Sequence, residues 1–451
     1  MCTRFGRACP GLADEPLFVD MTKTARHGMQ KRKNPSQPPA RDVFVYQQDP
    51  ATIEWIGQAA ILTEAFYARF LSYFTSEGES RDIRHQLTWL HRLPHFSTDG
   101  TNNALTLAVQ ATASSYCATE TNNVVLARHA MDLYGRAIHS HARYLARSGV
   151  GKQRVTVHMI STSLLFSFFE AMQATSAEAY RLHIYGAAKM FEIASPRECA
   201  QGVLCQIFFH LRTQMAFVQL TGDGGKMPVD VSSILYKSLE YDELPMFQRL
   251  TSHLTSLADV YHGMEEVGNG RRSVDLVEYM TIRSSVDALW HEYTGAASAK
   301  NEILSWWDPE SDMTRYRDAF TALTISYFSA ARILLAVTVP QLAASILDFT
   351  DHSRTVLQAA LYLQTCRIGC AYMRMAAPLL LVAVHAPKAE QRRIAIGCFE
   401  SWRKGSMRGI SALALESIRR RRLVVESGLE MGARSFHTGR VASGEGVRNE
   451  I

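Results

Sequence analysis

The sequence lacks a disulfide framework, a secretory leader, a glycosylation acceptor and any long apolar run, and each absence removes a class of protein. Its eight cysteines (Cys2, Cys9, Cys117, Cys199, Cys205, Cys366, Cys370 and Cys398) are scattered through 451 residues, unlike those of a stapled secreted domain. No Asn-x-Ser/Thr acceptor occurs, because Asn34 precedes Pro35. Residues 1–40 contain no apolar segment of the kind a signal peptide needs. The longest apolar run, Met375 to Val384, is far below the ~20 residues needed to cross a bilayer. The expectation is an intracellular, reduced, soluble chain without a membrane partner. Excess charge is scarce too: 48 Lys+Arg against 43 Asp+Glu leaves a net +5. With 47% hydrophobic and 20% charged residues, the composition excludes wholesale disorder and collagen-like repeats.

Catalytic signatures are equally sparse. There is no Gly-x-Gly-x-x-Gly after a strand, no Gly-x-Ser-x-Gly elbow and no His-Glu-x-x-His. Gly224-Gly225-Lys226-Met227 fails the last position of a P-loop. The acidic run Asp308-Pro309-Glu310-Ser311-Asp312 contains a proline, so it reads as a solvated turn and not as a magnesium-holding helix face. No alternating strand pattern with hairpin signals is evident. The sequence therefore predicts a non-enzyme.

What is present is helical periodicity. After a Pro-containing basic stretch, apolar residues recur at three-to-four spacing from Thr52 to Phe74, Asn102 to Cys117, Asn123 to Arg147, Gln153 to Gln173 and Ser176 to Ala194. The pattern continues over Val203–Leu220, Met246–Glu265, Val274–Tyr293, Tyr316–Val337, Thr355–Met375, Ala389–Trp402 and Ile410–Glu426. Gln153 to Gln173 is apolar nearly all round, which predicts a central helix. The fold class is thus all-α: a large bundle of about a dozen helices, behind a basic N-terminal arm expected to be mostly disordered. Residues 435–451 are Gly/Ser-rich and expected to be disordered.

The charge is unevenly placed. Residues 1–41 carry eight basic side chains and three acidic ones, and no acid occurs between Met21 and Arg41. Such an arm suits contact with a polyanion, or it is a solvated tail. Several other features have a bland reading beside a sharper one. Cys366 and Cys370, at i and i+4 on one expected helix, are half a metal site, a redox pair or core residues. His139 and His141 point to different helix faces. His85, His91 and His95 straddle Pro94 as surface or core residues. Phe166, Phe168 and Phe169 form core or a ligand pocket. Arg419 to Arg422 is a localisation or nucleic-acid element, or a set of cations complementing a helix C-terminus.

Two sets of residues resemble a known family. Cys2-Thr3-Arg4-Phe5-Gly6-Arg7-Ala8-Cys9-Pro10-Gly11, followed by Leu17-Phe18-Val19-Asp20-Met21-Thr22, is similar to the last third of a fungal binuclear zinc cluster. In that cluster six cysteines share two zinc ions with the spacing Cys-x2-Cys-x6-Cys, a loop, then Cys-x2-Cys-x6-Cys; Cys2 and Cys9 keep the final x6 gap. The helical body resembles the family's regulatory domain. The matching residues are Phe169-Glu170 at the end of an apolar helix, Tyr180-x2-His183-x2-Gly186-Ala187 and Phe208-x3-Arg212. Further on come Ala377-Pro378-Leu379, Arg393, Cys398, Gly405 and Glu416-Ser417-Ile418; the family's final Trp is replaced by Arg419.

The resemblance implies a nuclear transcriptional regulator controlling a metabolic or secondary-metabolite gene cluster, with DNA, co-regulators and a small-molecule effector as partners. It divides the chain into a zinc-cluster remnant (1–12), a basic linker (13–49), the regulatory domain (50–430) and a tail (431–451). Cys2 and Cys9 would be metal ligands, and Arg4, Arg7, Lys31, Arg32 and Lys33 phosphate contacts. The full family cluster holds zinc, but four of its six ligands have no counterpart here. The chain as written is therefore expected to bind none and to lack specific DNA reading. A helical interaction scaffold or dominant-negative regulator, and an all-α enzyme, are the alternative readings.

Overall fold

The computed structural model describes residues 63–72, 74, 88–149, 155–193, 202–222, 244–265, 275–340, 346–366 and 369–421. Contacts divide the chain at Glu64/Ala65, and the architecture below is that of the second unit, Ala65–Ile451. The helices are α1 (63–72), α2 (Trp89–Ser97), α3 (Asn103–Glu120), α4 (Val124–Gly149), α5 (Val157–Gln173), α6 (Ala177–Ile193) and α7 (Gly202–Leu220). They continue as α8 (Met246–Glu265), α9 (Leu276–Ala299), α10 (Ala319–Thr338), α11 (Ile346–Cys366), α12 (Gly369–His385), α13 (Ala389–Trp402) and α14 (408–421). The protein is all-α, as its periodicity predicts.

Local chemistry starts these helices where they start. Asn102 caps α3 by accepting from the Leu105 amide at 3.2 Å, Thr156 caps α5 through Met159, and Asp318 caps α10 through Thr321 at 2.7 Å. Asp275 caps α9 by accepting from Val277 and Glu278. The C-terminus of α5 is closed by Ala174 in the left-handed region at φ 55°. Pro94 lies inside α2 and has no N–H for the carbonyl of Leu90. The Tyr67 hydroxyl takes that place, donating to the Leu90 carbonyl at 2.5 Å and fastening α1 to α2.

Helix α5 is central: every residue from Met159 to Met172 is buried, between α3 and α6. Its counterpart in the C-terminal half is α10, packed on α8, α11 and α12. By length and composition α10 could cross a membrane, but 78% of its most apolar window is buried inside the bundle. Helix α7 joins the halves, touching α5 and α6 on one side and α8 and α12 on the other.

Two expectations are corrected. Thr355 to Met375 is not one helix: α11 ends at Cys366 and α12 begins at Gly369. The apolar periodicity runs on across this corner, and Gly369 is its sole conspicuous punctuation. A β-hairpin is present as well. Ser305–Asp308 (β1) pairs antiparallel with Met313–Tyr316 (β2), with Trp306 opposite Arg315 and Asp308 opposite Met313. The acidic run is its solvated loop. There the Asp308 carboxylate accepts from the Glu310 amide, the Ser311 hydroxyl and Arg315 Nε, and Asp312 adopts φ 51°. Adjacent, exposed Trp306 and Trp307 hide the alternation that would have announced the strand.

Candidate functional site

The family-type residues Cys2, Cys9, Arg4, Arg7, Lys31, Arg32 and Lys33 lie outside the described residues. The other candidates are placed. Cys366 ends α11 and Cys370 belongs to α12, so they do not share one helix face. Among the described residues no cluster of three His, Cys, Asp or Glu side chains could hold a metal ion. Cys117, Cys205 and Cys398 are buried, and burial pushes the Cys398 thiol up to about 11. His139 is exposed and His141 buried, on opposite faces of α4 as their spacing requires. His91 shares a hydrogen bond with the Thr88 hydroxyl at 2.9 Å, while His95 is exposed. The arginine run complements a helix end, though not its own: Arg421 and Arg420 donate to the Leu220 and Thr221 carbonyls at the C-terminus of α7.

The three phenylalanines of α5 divide between two polar sites. Phe166 and Phe169 frame the first, which brings Glu170 and His183 together around Tyr134. Tyr134 stacks on Phe169 with ring centroids 4.0 Å apart and donates its hydroxyl to Glu170 Oε1 at 2.6 Å. Thr175 donates its hydroxyl to the same oxygen at 2.6 Å and its amide to Oε2 at 2.9 Å. His183 Nε2 lies 2.8 Å from the Tyr134 oxygen. Because the tyrosine proton is given to Glu170, the imidazole donates from Nε2, which fixes its tautomer. Burial holds His183 down at about 4, so it is neutral at physiological pH. Burial, and then the neighbouring Glu170 carboxylate, push Tyr134 upward. Gly409 of α14 covers the site so closely that a Cβ there would lie 2.0 Å from the Glu170 carbonyl oxygen. This junction is closed and its groups are satisfied.

Phe168 faces the second site, a partly open cavity of about 110 Å³ bounded by α2, α5, α7, α8, α10 and α12. His210 lies on Phe168, with ring centroids 5.2 Å apart and planes 13° from parallel, and its other flank meets Trp89 at 5.9 Å. The imidazole is 5% exposed, and its Nε2 has no hydrogen-bond partner. Burial lowers its affinity for a proton to a pKa of about 4, so it too is neutral. Gln248, 7% exposed on the first turn of α8, leaves its Oε1 without a partner. Arg374 enters from α12, its pKa lowered to about 10 by burial and still cationic at neutral pH. Among the described residues, no acidic side chain lines the cavity.

A third space, an open cleft of about 790 Å³ between α1, α3, α11 and the 401–407 segment, is lined by residues such as Arg69, Glu120 and Gln364 and faces solvent. Sequence reasoning singled out Phe168 but missed its cavity partners. A signal for two of them exists: Arg374 and His210 each interrupt a run of apolar side chains (Met373-Arg374-Met375, Phe208-Phe209-His210-Leu211). No protein-family model, no curated protein and no solved structure matches this chain.

Proposed function

We propose that this chain is a transcriptional regulator of the fungal zinc-cluster type, with the α-helical body as its regulatory unit and the basic arm as its phosphate-contacting and nuclear-import segment. The observation that carries the reading is the order of the motif residues along three packed helices. Phe169-Glu170, Tyr180 with His183, and Phe208 with Arg212 follow one another on α5, α6 and α7, which are mutually packed. Their polar members bond within or between these helices and their neighbours: Glu170 and His183 both meet Tyr134, Tyr180 donates to Gln214 at 2.7 Å, and Arg212 reaches Ser252. Each of these polar members is engaged by a residue outside the motif, Tyr134, Gln214 or Ser252, in the packing of neighbouring helices, which suits a structural unit that transmits a state. Co-regulatory proteins are the partners of the body, and the chain acts in the nucleus. No catalysis is proposed.

The test is to fuse the full chain to a foreign DNA-binding domain and measure a reporter. Activation or repression supports the reading, and a reporter unchanged by an expressed, nuclear fusion sinks it. Contact of the arm with phosphates predicts DNA binding that is indifferent to sequence and falls steeply with salt.

A further inference from the structure

We propose that the cavity between α2, α5, α7, α8, α10 and α12 is a binding site for a short-chain carboxylate, held by its charged end between Arg374 and the start of α8. The inference goes beyond the regulatory reading and does not depend on it, since it concerns what the purified chain binds.

Three observations converge. The first is electrostatic sign. Arg374 brings a cation into the cavity, and α8, twenty residues long with no acid in its first turn, begins at the wall through Pro245, Phe247 and Gln248. The positive end of the helix dipole therefore sits beside a guanidinium, with no carboxylate among the described lining residues. The second is unmet hydrogen bonding. His210 Nε2 and Gln248 Oε1 are buried without partners, an unfavourable state that a bound ligand would relieve. A neutral imidazole can donate from Nε2 to an anionic oxygen, and a side-chain amide turns either its oxygen or its nitrogen to a ligand by rotation. These groups stand on α7 and α8, so no single helix end accounts for the site.

The third is shape. About 110 Å³ is close to the roughly 150 Å³ that holds a benzene ring in an engineered apolar cavity, and corresponds to about four waters at ~30 Å³ each. That accommodates a carboxylate with a tail of a few carbons and excludes a nucleotide or a large lipid. Trp89, Phe168, Phe247 and Phe320 supply the apolar wall for the tail. His210 is held in orientation by its two aromatic neighbours, so the polar end of the cavity is preorganised.

The experiment is calorimetric titration of the purified full chain with sodium propionate and sodium butyrate, against propionamide as the neutral isostere and sodium chloride at matched ionic strength. The expected result is saturable binding of a carboxylate at one site per chain, with propionamide at least roughly tenfold weaker. His210→Phe preserves the ring stack but removes the donor, and should weaken binding several-fold without loss of helical signal. Arg374→Gln should weaken it at least roughly tenfold, read on protein that circular dichroism shows to be folded. If that variant does not fold, Gln248→Leu together with His210→Phe serves as the second reading. No saturable heat with either carboxylate up to about 10 mM, equal affinity for propionamide, or binding unchanged in the folded variants would overturn the proposal. The cavity would then be a hydrated void. A silent reporter fusion with intact carboxylate binding would remove only the regulatory reading.

Discussion

Helix α5 carries two polar sites whose signpost residues, Phe168 and Glu170, are two positions apart, and the sites meet opposite ends. Around Glu170 three donor groups converge on two carboxylate oxygens, and α14 seals them with backbone against backbone. Around His210 the framing is just as aromatic and the burial as deep, yet buried polar atoms lack partners and a void remains. Both sites bury polar groups at similar desolvation cost. One recovers that cost within the fold, and the other leaves it outstanding. The contrast teaches that burial and an aromatic setting do not distinguish a structural polar cluster from a binding site; the state of the hydrogen bonds does.

The largest way to break the contrast is to strip the satisfied site. Glu170→Ala leaves the Tyr134 hydroxyl and both Thr175 donors without their acceptor, and should cost about 3 kcal/mol or more, read as a fall in the urea midpoint. A cost below about 1 kcal/mol would show that the junction is not the closed unit described above. Next in size is the seal. Gly409→Ala drives a methyl group into the Glu170 backbone and should destabilise by about 1–3 kcal/mol. Gly186→Ala in α6, where a Cβ would meet nothing within 4 Å, should be neutral or stabilise by up to about 1 kcal/mol. Reversal of that order would remove the close approach as the reason for the glycine.

The smallest effect at neutral pH belongs to His210→Phe, which has no hydrogen bond from Nε2 to lose and should change stability by less than about 1 kcal/mol. Its signature appears on acidification. His141, His183 and His210 are each held near 4 by burial, below the ordinary value near 6.5. As pH falls below that value, the unfolded chain takes up protons that the folded chain refuses. Stability therefore drops between about pH 6.5 and 4, by at most ~1.4 kcal/mol per pH unit for each histidine. His210→Phe should reduce this slope by one proton's share, and an unchanged slope would contradict its buried, neutral state.

Much of the bundle is legible in the sequence because periodicity is local. Met246–Glu265 and Ala389–Trp402 begin and end where the pattern does, and the all-round apolar character of the 153–173 stretch marks the central helix. The division between α11 and α12 was hidden because the apolar periodicity runs on past Cys366 and no proline stands between the two helices. Along α4 the buried apolar stripe runs through Ala130, Leu133 and Ala137 and then gives way. There His141 turns inward to hydrogen-bond Ser163 at 3.1 Å, and Leu145 faces solvent. The motif residues of α5 to α7 could be quoted from the sequence, but not their partners: Tyr134 lies 36 residues from Glu170, and proximity at that range is decided by packing. The cavity was the least legible, since six helices contribute to it and its polar members reveal themselves only as interruptions in apolar runs.

The seal over Glu170 has a bearing on how the chain is made. Gly409 lies far along the chain from the residue it covers, and Arg420 and Arg421 grip carbonyls about 200 positions earlier. A ribosome would release α5 to α7 long before their lid emerged, so the nascent N-terminal half must wait with a polar seam uncovered. Such late closure favours slow maturation and dependence on chaperones. It also means that a stop codon before Gly409 would harm the first half of the protein as much as the last.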